Sequence, residues 1–233
     1  MILAKDRLIL ALDVPNFSAA KQVVEELSDE INFYKIGLEL MASGSYFELV
    51  EFLKLHNKKV FADLKLYDIP ATVGRAVRNL ASHQIDLLTI HTANKEIMAA
   101  AVENKGAMKV VGVTVLTSLE QADLLEMGFD AKFSLEELVV KKAGAALAAG
   151  LDGVVASPLE AKILREKFGS DFLIVTPGIR NSASNDDQKR TADVKTALNN
   201  GASHLVVGRP IMQAKNMRQE AAIFNKLVAE VLS

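Results

Sequence analysis

The sequence predicts an α/β protein with the (β/α)₈ fold of a TIM barrel, formed as a single domain over residues 1–233. Short apolar runs alternate with helical patterns at intervals of about 25–30 residues, which is the spacing of such barrels. The chain length also lies within the roughly 200–250 residues that one α/β barrel commonly occupies. No linker-like Gly/Ser/Pro stretch or low-complexity segment divides the chain, so we expect one domain.

The N-terminal half contains the first four predicted strands. Arg7–Asp13 is an almost continuous apolar run, as expected for a strand that is buried on both faces. The chain then turns, and Ser18 is the expected N-cap of the first helix. The elements that follow are a helix over about Ala19–Ser28, strand Phe33–Gly37, a helix over about Ser45–His56, a strand beginning at Val60, helix Thr72–His83, strand Ile85–His91 and a helix over about Asn94–Asn104.

The C-terminal half contains the other four predicted strands. Met108–Leu116 is rich in Val and Thr, which strands prefer. A longer connection with two helical pieces follows it, and a later segment, Asn181–Lys189, is unusually polar. The remaining elements are helical pieces over about Leu119–Met127 and Ser134–Ala149, strand Gly153–Ala156, helix Leu159–Phe168, strand Phe172–Pro177, a helix near Asp193–Asn200, strand His204–Val207 and helix Asn216–Leu232.

The composition predicts a soluble, cytoplasmic protein. The net charge is −2, from 27 basic and 29 acidic residues, so the overall field favours neither nucleic acid nor a membrane surface as a partner. The absence of cysteine removes disulfides, thiol nucleophiles and Cys-type metal sites. The first apolar run is too short for a signal peptide, and none approaches the roughly 18 residues that span a bilayer.

Polar side chains follow most of the predicted strands at their C-terminal ends, which is the end where barrels carry their active sites. Each one alone would most simply be a solvated loop residue, but together they predict a site on one rim. They are Asp13, Lys35, Asp63, Lys65, Asp68, His91, Thr92, Thr117, Ser118, Arg180 and Arg209. The four histidines have no metal-ligand spacing, and neither a dinucleotide nor a Walker A motif is present.

The third strand ends in the pattern Asp63-x-Lys65-x-x-Asp68. Side chains two apart on a strand point to the same side, so Asp63 and Lys65 are expected to project together. A solvated ion pair at a strand end is the alternative for this pattern alone.

The loops after strands seven and eight predict a phosphate site, because barrels often bind phosphate there. Gly178 and Gly208 permit close backbone approach, and Arg180 and Arg209 offer forked donors that suit phosphate oxygens. Surface arginines are the alternative. The polar segment 181–189, with Gln188, is either a flap over this phosphate or an ordinary mobile loop.

Several motifs together resemble the orotidine 5′-phosphate decarboxylase family in its bacterial form, and the resemblance runs nearly end to end. The most specific is Asp-Leu-Lys-Leu-Tyr-Asp-Ile-Pro-Ala-Thr at 63–72, in combination with Thr-Pro-Gly-Ile-Arg at 176–180, Asp-Gln-Lys-Arg at 187–190 and Val-Gly-Arg-Pro at 207–210. Tyr67 stands where many bacterial members have His, and Asn181 where Pro is common.

The resemblance implies conversion of orotidine 5′-monophosphate to uridine 5′-monophosphate and CO₂, the last step of de novo pyrimidine synthesis, without metal or organic cofactor. It implies that Lys65, with Asp63 and Asp68, stabilises a C6 carbanion and that Lys65 protonates it. It further implies a homodimer in which Asp68 and Thr72 enter the neighbouring subunit's site. The implied substrate ligands are Asp13 and Lys35 for ribose, Thr117 for the pyrimidine edge, and Arg180, Gln188, Gly208 and Arg209 for phosphate.

Two alternative functions are also compatible with the sequence. A sugar-phosphate decarboxylase of the same superfamily would work through a Mg²⁺-stabilised enediolate and would need carboxylate metal ligands at strand ends. A non-catalytic phosphate-binding barrel would bind such ligands without turnover.

Overall fold

The described part of the chain, residues 2–130, 132–180 and 190–232 of a computed structural model, contains eight parallel strands that close into a barrel in sequence order. The last strand pairs with the first, so the predicted TIM barrel is confirmed. The strands are β1 (Leu8–Ala11), β2 (Phe33–Gly37), β3 (Lys59–Leu66), β4 (Leu87–His91), β5 (Lys109–Val113), β6 (Gly153–Val155), β7 (Leu173–Thr176) and β8 (His204–Val207).

Helices cover the outside of the barrel. The predicted long helices are present, while three short ones were not predicted, because a single turn carries no amphipathic repeat. The helices are α1 (Ala4–Arg7), α2 (Phe17–Leu27), α3 (Leu38–Ala42), α4 (Tyr46–Leu55), α5 (Pro70–Ser82), α6 (Lys95–Asn104), α7 (Gln121–Glu126), α8 (Leu135–Ala148), α9 (Ala161–Phe168), α10 (Val194–Asn199), α11 (Arg209–Met212) and α12 (Met217–Leu232). None of those in the described residues is long and apolar enough to cross a bilayer.

Several predicted boundaries were wrong by a few residues. β1 ends at Ala11 and β5 at Val113, earlier than predicted, because the chain beyond them leaves the strand ladder and forms the rim of the barrel. The N-cap of α2 is Asn16 and not Ser18: the Asn16 side chain accepts a hydrogen bond from the backbone N–H of Ala19 at 3.0 Å.

The barrel has two apolar cores. One lies between the strands and the helices. The other fills the barrel interior and is built from alternate strand residues: Ile9, Ala11, Phe33, Phe61, Leu87, Val111, Val175 and Val206. The next inward positions along the first three strands are Asp13, Lys35 and Asp63, so strand alternation itself brings polar residues to the mouth.

β3 departs from regular geometry where its charged residues begin. Ala62 pairs with Leu88, but the next paired residues are Leu66 and Ile90, so β3 has a bulge between them. Within this bulge Lys65 has a φ of 48°, in the left-handed region that non-glycine residues rarely adopt. Asp63 thus keeps the inward position that strand alternation gives it, whereas Lys65 departs from regular strand geometry. The two side chains still project together, as predicted, with Lys65 Nζ 2.8 Å from Asp63 Oδ1.

Candidate active site

The C-terminal ends of the strands surround a cavity of about 290 Å³. Apolar residues of the barrel interior form part of its wall, including Ala11, Phe61 and Val206. The cavity also gathers predicted site residues from strands at opposite sides of the barrel: Asp13, Lys35, Asp63, Lys65, Thr117, Arg180, Gly208 and Arg209. The predicted Lys65 and the predicted Arg209 therefore face the same space.

Four of these side chains form a chain of alternating charge. Lys35 Nζ lies 2.9 Å from Asp13 Oδ1 and 3.5 Å from Asp63 Oδ2. Lys65 Nζ donates to the other oxygen of Asp63, at 2.8 Å. Because each inner member of the array contacts two opposite charges, its orientation is fixed before any ligand enters.

Thr89 supports this array and was missed by sequence reasoning. This buried β4 residue donates its hydroxyl proton to Asp63 Oδ1 at 2.9 Å and accepts the backbone N–H of Lys65, also at 2.9 Å. One hydroxyl thus holds both the carboxylate and the left-handed backbone beside it. The sequence feature that could have predicted this role is a threonine inside the apolar run Leu87–Ile90, at an inward position two residues before His91.

The two inner members of the array, Lys35 and Asp63, are charged over a wide range around neutral pH. Burial by itself would lower the pKa of Lys35, but Asp63 and Asp13 outweigh it and hold that pKa above its ordinary value. Burial would likewise raise the pKa of Asp63, but Lys35, Lys65 and the Thr89 hydroxyl hold it below its ordinary value. An ionised Asp63 and a protonated Lys35 follow.

The opposite wall is formed by the loops after β7 and β8. Gly178 has a φ of 80°, which favours glycine, and the backbone N–H of the buried Arg180 donates to Ala192 O at 2.9 Å. Gly208 packs closely on β1: a Cβ there would lie 3.2 Å from Ala11 Cβ. Both predicted arginines and both glycines border the cavity, so cationic and backbone donors are grouped on this side.

The structure does not bring Asp68 or Thr72 into the cavity. Asp68 is exposed, and among the described residues of one chain its carboxylate accepts only the N–H of the following Ile69, at 2.6 Å. Thr72, on α5, accepts a hydrogen bond from Arg75 at 3.4 Å. Gln188 lies outside the described residues, as does the predicted flap 181–189. Among the residues that the structure describes in one chain, Lys65 therefore has one carboxylate partner, and the second cation on Asp63 is Lys35.

His91, which the sequence placed on the rim, is half-buried beside the array and makes an edge contact with the Tyr67 ring at 5.9 Å between centroids. Burial, with Lys142 and Lys65 nearby, holds the pKa of His91 below its ordinary value, so the ring is neutral at pH 7. No group of three or more His, Asp or Glu among the described residues is arranged to hold a metal ion.

Comparisons with known proteins agree with this geometry. A family model described as orotidine 5′-phosphate decarboxylase / HUMPS matches residues 6–224. An orotidine 5′-phosphate decarboxylase of Methylococcus capsulatus is 50% identical over 218 residues, covering 93% of this chain and 89% of the relative, and one of a Caulobacter species is 51% identical over 232 residues, covering 98% of each. The solved structure of the Lactobacillus acidophilus enzyme of that name matches with a TM-score of 0.84 at 33% identity, over 95% of this chain and 98% of that one.

Proposed function

The chain belongs to the orotidine 5′-phosphate decarboxylase / HUMPS family, and we propose that its cavity converts orotidine 5′-monophosphate to uridine 5′-monophosphate and CO₂. A decarboxylation step of pyrimidine biosynthesis follows from that membership. The observation that carries the residue roles is the array Asp13–Lys35–Asp63–Lys65, which lines the same cavity as Arg180 and Arg209.

Lys65 is the proposed catalytic acid. When the bond between C6 and the carboxylate breaks, the electron pair stays on C6, and the Lys65 ammonium stabilises this charge. Lys65 then donates a proton to C6, becomes a neutral amine and regains a proton from solvent. The ammonium is already held by Asp63 at 2.8 Å, so little reorganisation is needed as charge develops.

Asp63 is proposed to face the substrate carboxylate. It is ionised, as its lowered pKa requires, and two like charges about 4 Å apart repel by roughly 4 kcal/mol at an effective dielectric of 20. Loss of CO₂ removes this repulsion, which favours the chemical step.

The rest of the cavity is proposed to bind the remote parts of the nucleotide. Asp13 and Lys35 bind ribose hydroxyls, and the buried Thr117 hydrogen-bonds the pyrimidine edge. The phosphate is held by Arg180, Gly208 and Arg209, together with Gln188. Binding energy from the phosphate can then contribute to the chemical step.

We further propose a homodimer in which Asp68 and Thr72 complete the neighbouring subunit's site. The exposed Asp68 is flanked by Tyr67 and Ile69, which are 70% and 65% exposed, so apolar surface adjoins a carboxylate that pairs with no cation among the described residues. Such a surface is suited to an isologous contact. We also propose the cytoplasmic location that the sequence predicts.

Subunit sharing is tested by co-refolding two inactive variants, Lys65→Ala and Asp68→Ala. Each mixed dimer then has one site with both native residues, so a random mixture should regain about a quarter of the wild-type activity. If each site were confined to one chain, the mixture would regain no activity. Lys65→Ala refolded alone serves as the control.

The reaction itself is tested by following the ultraviolet absorbance of orotidine 5′-monophosphate with purified protein. We expect the substrate spectrum to convert to that of uridine 5′-monophosphate, with equal rates before and after EDTA treatment. Binding without conversion would indicate the non-catalytic barrel, and loss of activity in EDTA would overturn the cofactor-free mechanism and favour the Mg²⁺-dependent alternative.

A further inference from the structure

The part of the cavity wall that follows β5 pairs with no strand among the described residues. The pairing of these strands ends at Val113 and Val155, and one further bond joins Thr114 N to Val155 O at 3.2 Å. The chain then continues through residues 115–118, all of which line the cavity, Thr117 among them. The position of this wall must therefore be fixed by something other than the barrel ladder.

Arg190 donates to the backbone of this wall, where Leu116 O also accepts the N–H of Leu119 at 3.0 Å. Its Nη2 donates to Leu116 O at 2.9 Å, with Val115 O at 3.4 Å, and its Nη1 forms an ion pair with Glu160. The other oxygen of Glu160 accepts the N–H of Ser157 at 2.8 Å. One ion pair thus bridges the segment after β5 and the segment after β6, where the two strands have separated.

This bridge is buried but lies behind the cavity wall. The side chains of Arg190 and Glu160 are 12% and 6% exposed, and neither belongs to the described residues that line the cavity. Arginine suits this position because its planar fork can bind a carboxylate and a carbonyl at once, which the single ammonium of lysine cannot do with the same geometry.

We propose that Arg190 is a positioning residue that holds the wall 115–118 at the spacing a pyrimidine ring requires, and so sets recognition of the base and not of the phosphate. This inference rests on the proposed function, because it assigns the base to the Thr117 side. Arg190 acts through the carbonyls of Val115 and Leu116, while the phosphate is held on the opposite wall by Arg180 and Arg209.

The test compares two ligands that differ only in the base. The dissociation constants of uridine 5′-monophosphate and ribose 5-phosphate are measured by calorimetry for the wild type, Arg190→Lys, and the double variant Glu160→Gln/Arg190→Met. The double variant removes both charges, so it leaves no buried carboxylate unpaired if the single change is poorly folded. Arg218→Ala, which removes an arginine from the outer helix α12, is the control.

We expect both Arg190 variants to bind uridine 5′-monophosphate at least about tenfold more weakly, because small misplacements of a binding wall have large effects, and ribose 5-phosphate within about twofold of the wild type. Equal losses for both ligands would indicate a general structural role, or an effect on the phosphate side through Gln188, and would overturn the proposal. Unchanged binding of both ligands would overturn it too. A wild type that does not prefer the nucleotide would instead refute the proposed function, and the inference with it.

Discussion

The two ends of the barrel use the same residues, lysine and aspartate, in different ways. At the N-terminal end, Asp86 accepts Lys54 Nζ at 2.8 Å and also the backbone N–H of Val60, the second residue of β3, at 2.8 Å. Asp152 likewise accepts Lys105, Lys109 and the N–H of Val110 near the start of β5. Each carboxylate there holds a strand in place.

At the C-terminal end, the partners of Asp63 among the described residues are all side chains: Lys35, Lys65 and Thr89. The array borders a cavity, and Lys65 adopts a left-handed backbone conformation that costs on the order of 1–3 kcal/mol. Carboxylates bonded to strand backbone therefore stabilise the barrel, whereas a carboxylate whose described partners are side chains around a cavity is available to a ligand. Three predictions test this difference between the two ends.

The largest expected effect comes from Lys65→Ala, with Lys105→Ala as the matched change at the other end. Lys65→Ala should lower kcat by at least about 10⁴-fold, because it removes both the charge beside C6 and the proton donor. Lys105→Ala should leave kcat unchanged and lower the free energy of unfolding by about 2 kcal/mol, since Asp152 loses a charged hydrogen bond. Absorbance assays and urea denaturation measure the two quantities.

The assignment of Lys65 also requires that its loss spares binding of the product. Uridine 5′-monophosphate should bind Lys65→Ala within about threefold of the wild type, since ribose and phosphate contacts remain. Substantial turnover by this variant would rule out Lys65 as the proton donor.

A second prediction concerns the pH dependence of stability at the N-terminal end. Burial, with Arg7 and Lys59 nearby and Asp6 opposing them, lowers the pKa of His204 to about 4. The unfolded chain, with a histidine pKa of about 6.5, then binds more protons below that pH, so stability is complete above pH 6.5 and falls as the pH approaches 4. We expect the free energy of unfolding to fall by about 3 kcal/mol over this window.

His204→Leu should remove most of that slope, because it removes the group that titrates. The variant should still fold, because Nδ1 has no hydrogen-bond partner to lose among the described residues. The exposed His56 provides the control, as His56→Gln should leave the slope intact. The slope is measured from the midpoints of urea denaturation at pH 7.5 and 4.5. An unchanged slope in His204→Leu would show that another group controls stability in this range.

The smallest effect is expected from Thr89→Val, which keeps the shape of the side chain and removes its hydroxyl. The Lys65 N–H and Asp63 each lose a partner, so we expect about a tenfold lower kcat and a loss of about 1–2 kcal/mol in unfolding free energy. Thr114→Val is a suitable control, since among the described residues its hydroxyl bonds to one strand carbonyl, Val155 O. Equal kcat losses in both variants would contradict a specific role of Thr89.

Much of the fold and of the cavity follows from the sequence. Buried strands appear as apolar runs, and the barrel rule places the residues after them, such as Asp13 and Arg209, on one rim. These predictions depend on local pattern and on a general property of the fold, so they need no knowledge of individual contacts.

The remaining features depend on contacts between distant residues. At the bulge, the N–H of Lys65 bonds to Thr89, which lies 24 residues further on. The bridge between Arg190 and Leu116 joins residues 74 positions apart. Neither has a local signature. The surroundings of Asp68 cannot be read from one chain for a different reason, because its proposed partner belongs to another chain.

The pairing of β1 with β8 has a consequence for when the protein becomes active. Asp13 follows the first strand and Arg209 follows the last, so the cavity is complete only when regions some two hundred positions apart in sequence have met. Closing so long a loop is a costly late event in folding. A nascent chain that has formed seven strands would thus have most of its hydrophobic interior but could not yet turn over substrate. During folding, the appearance of activity would therefore report closure of the barrel more directly than any measure of helix content.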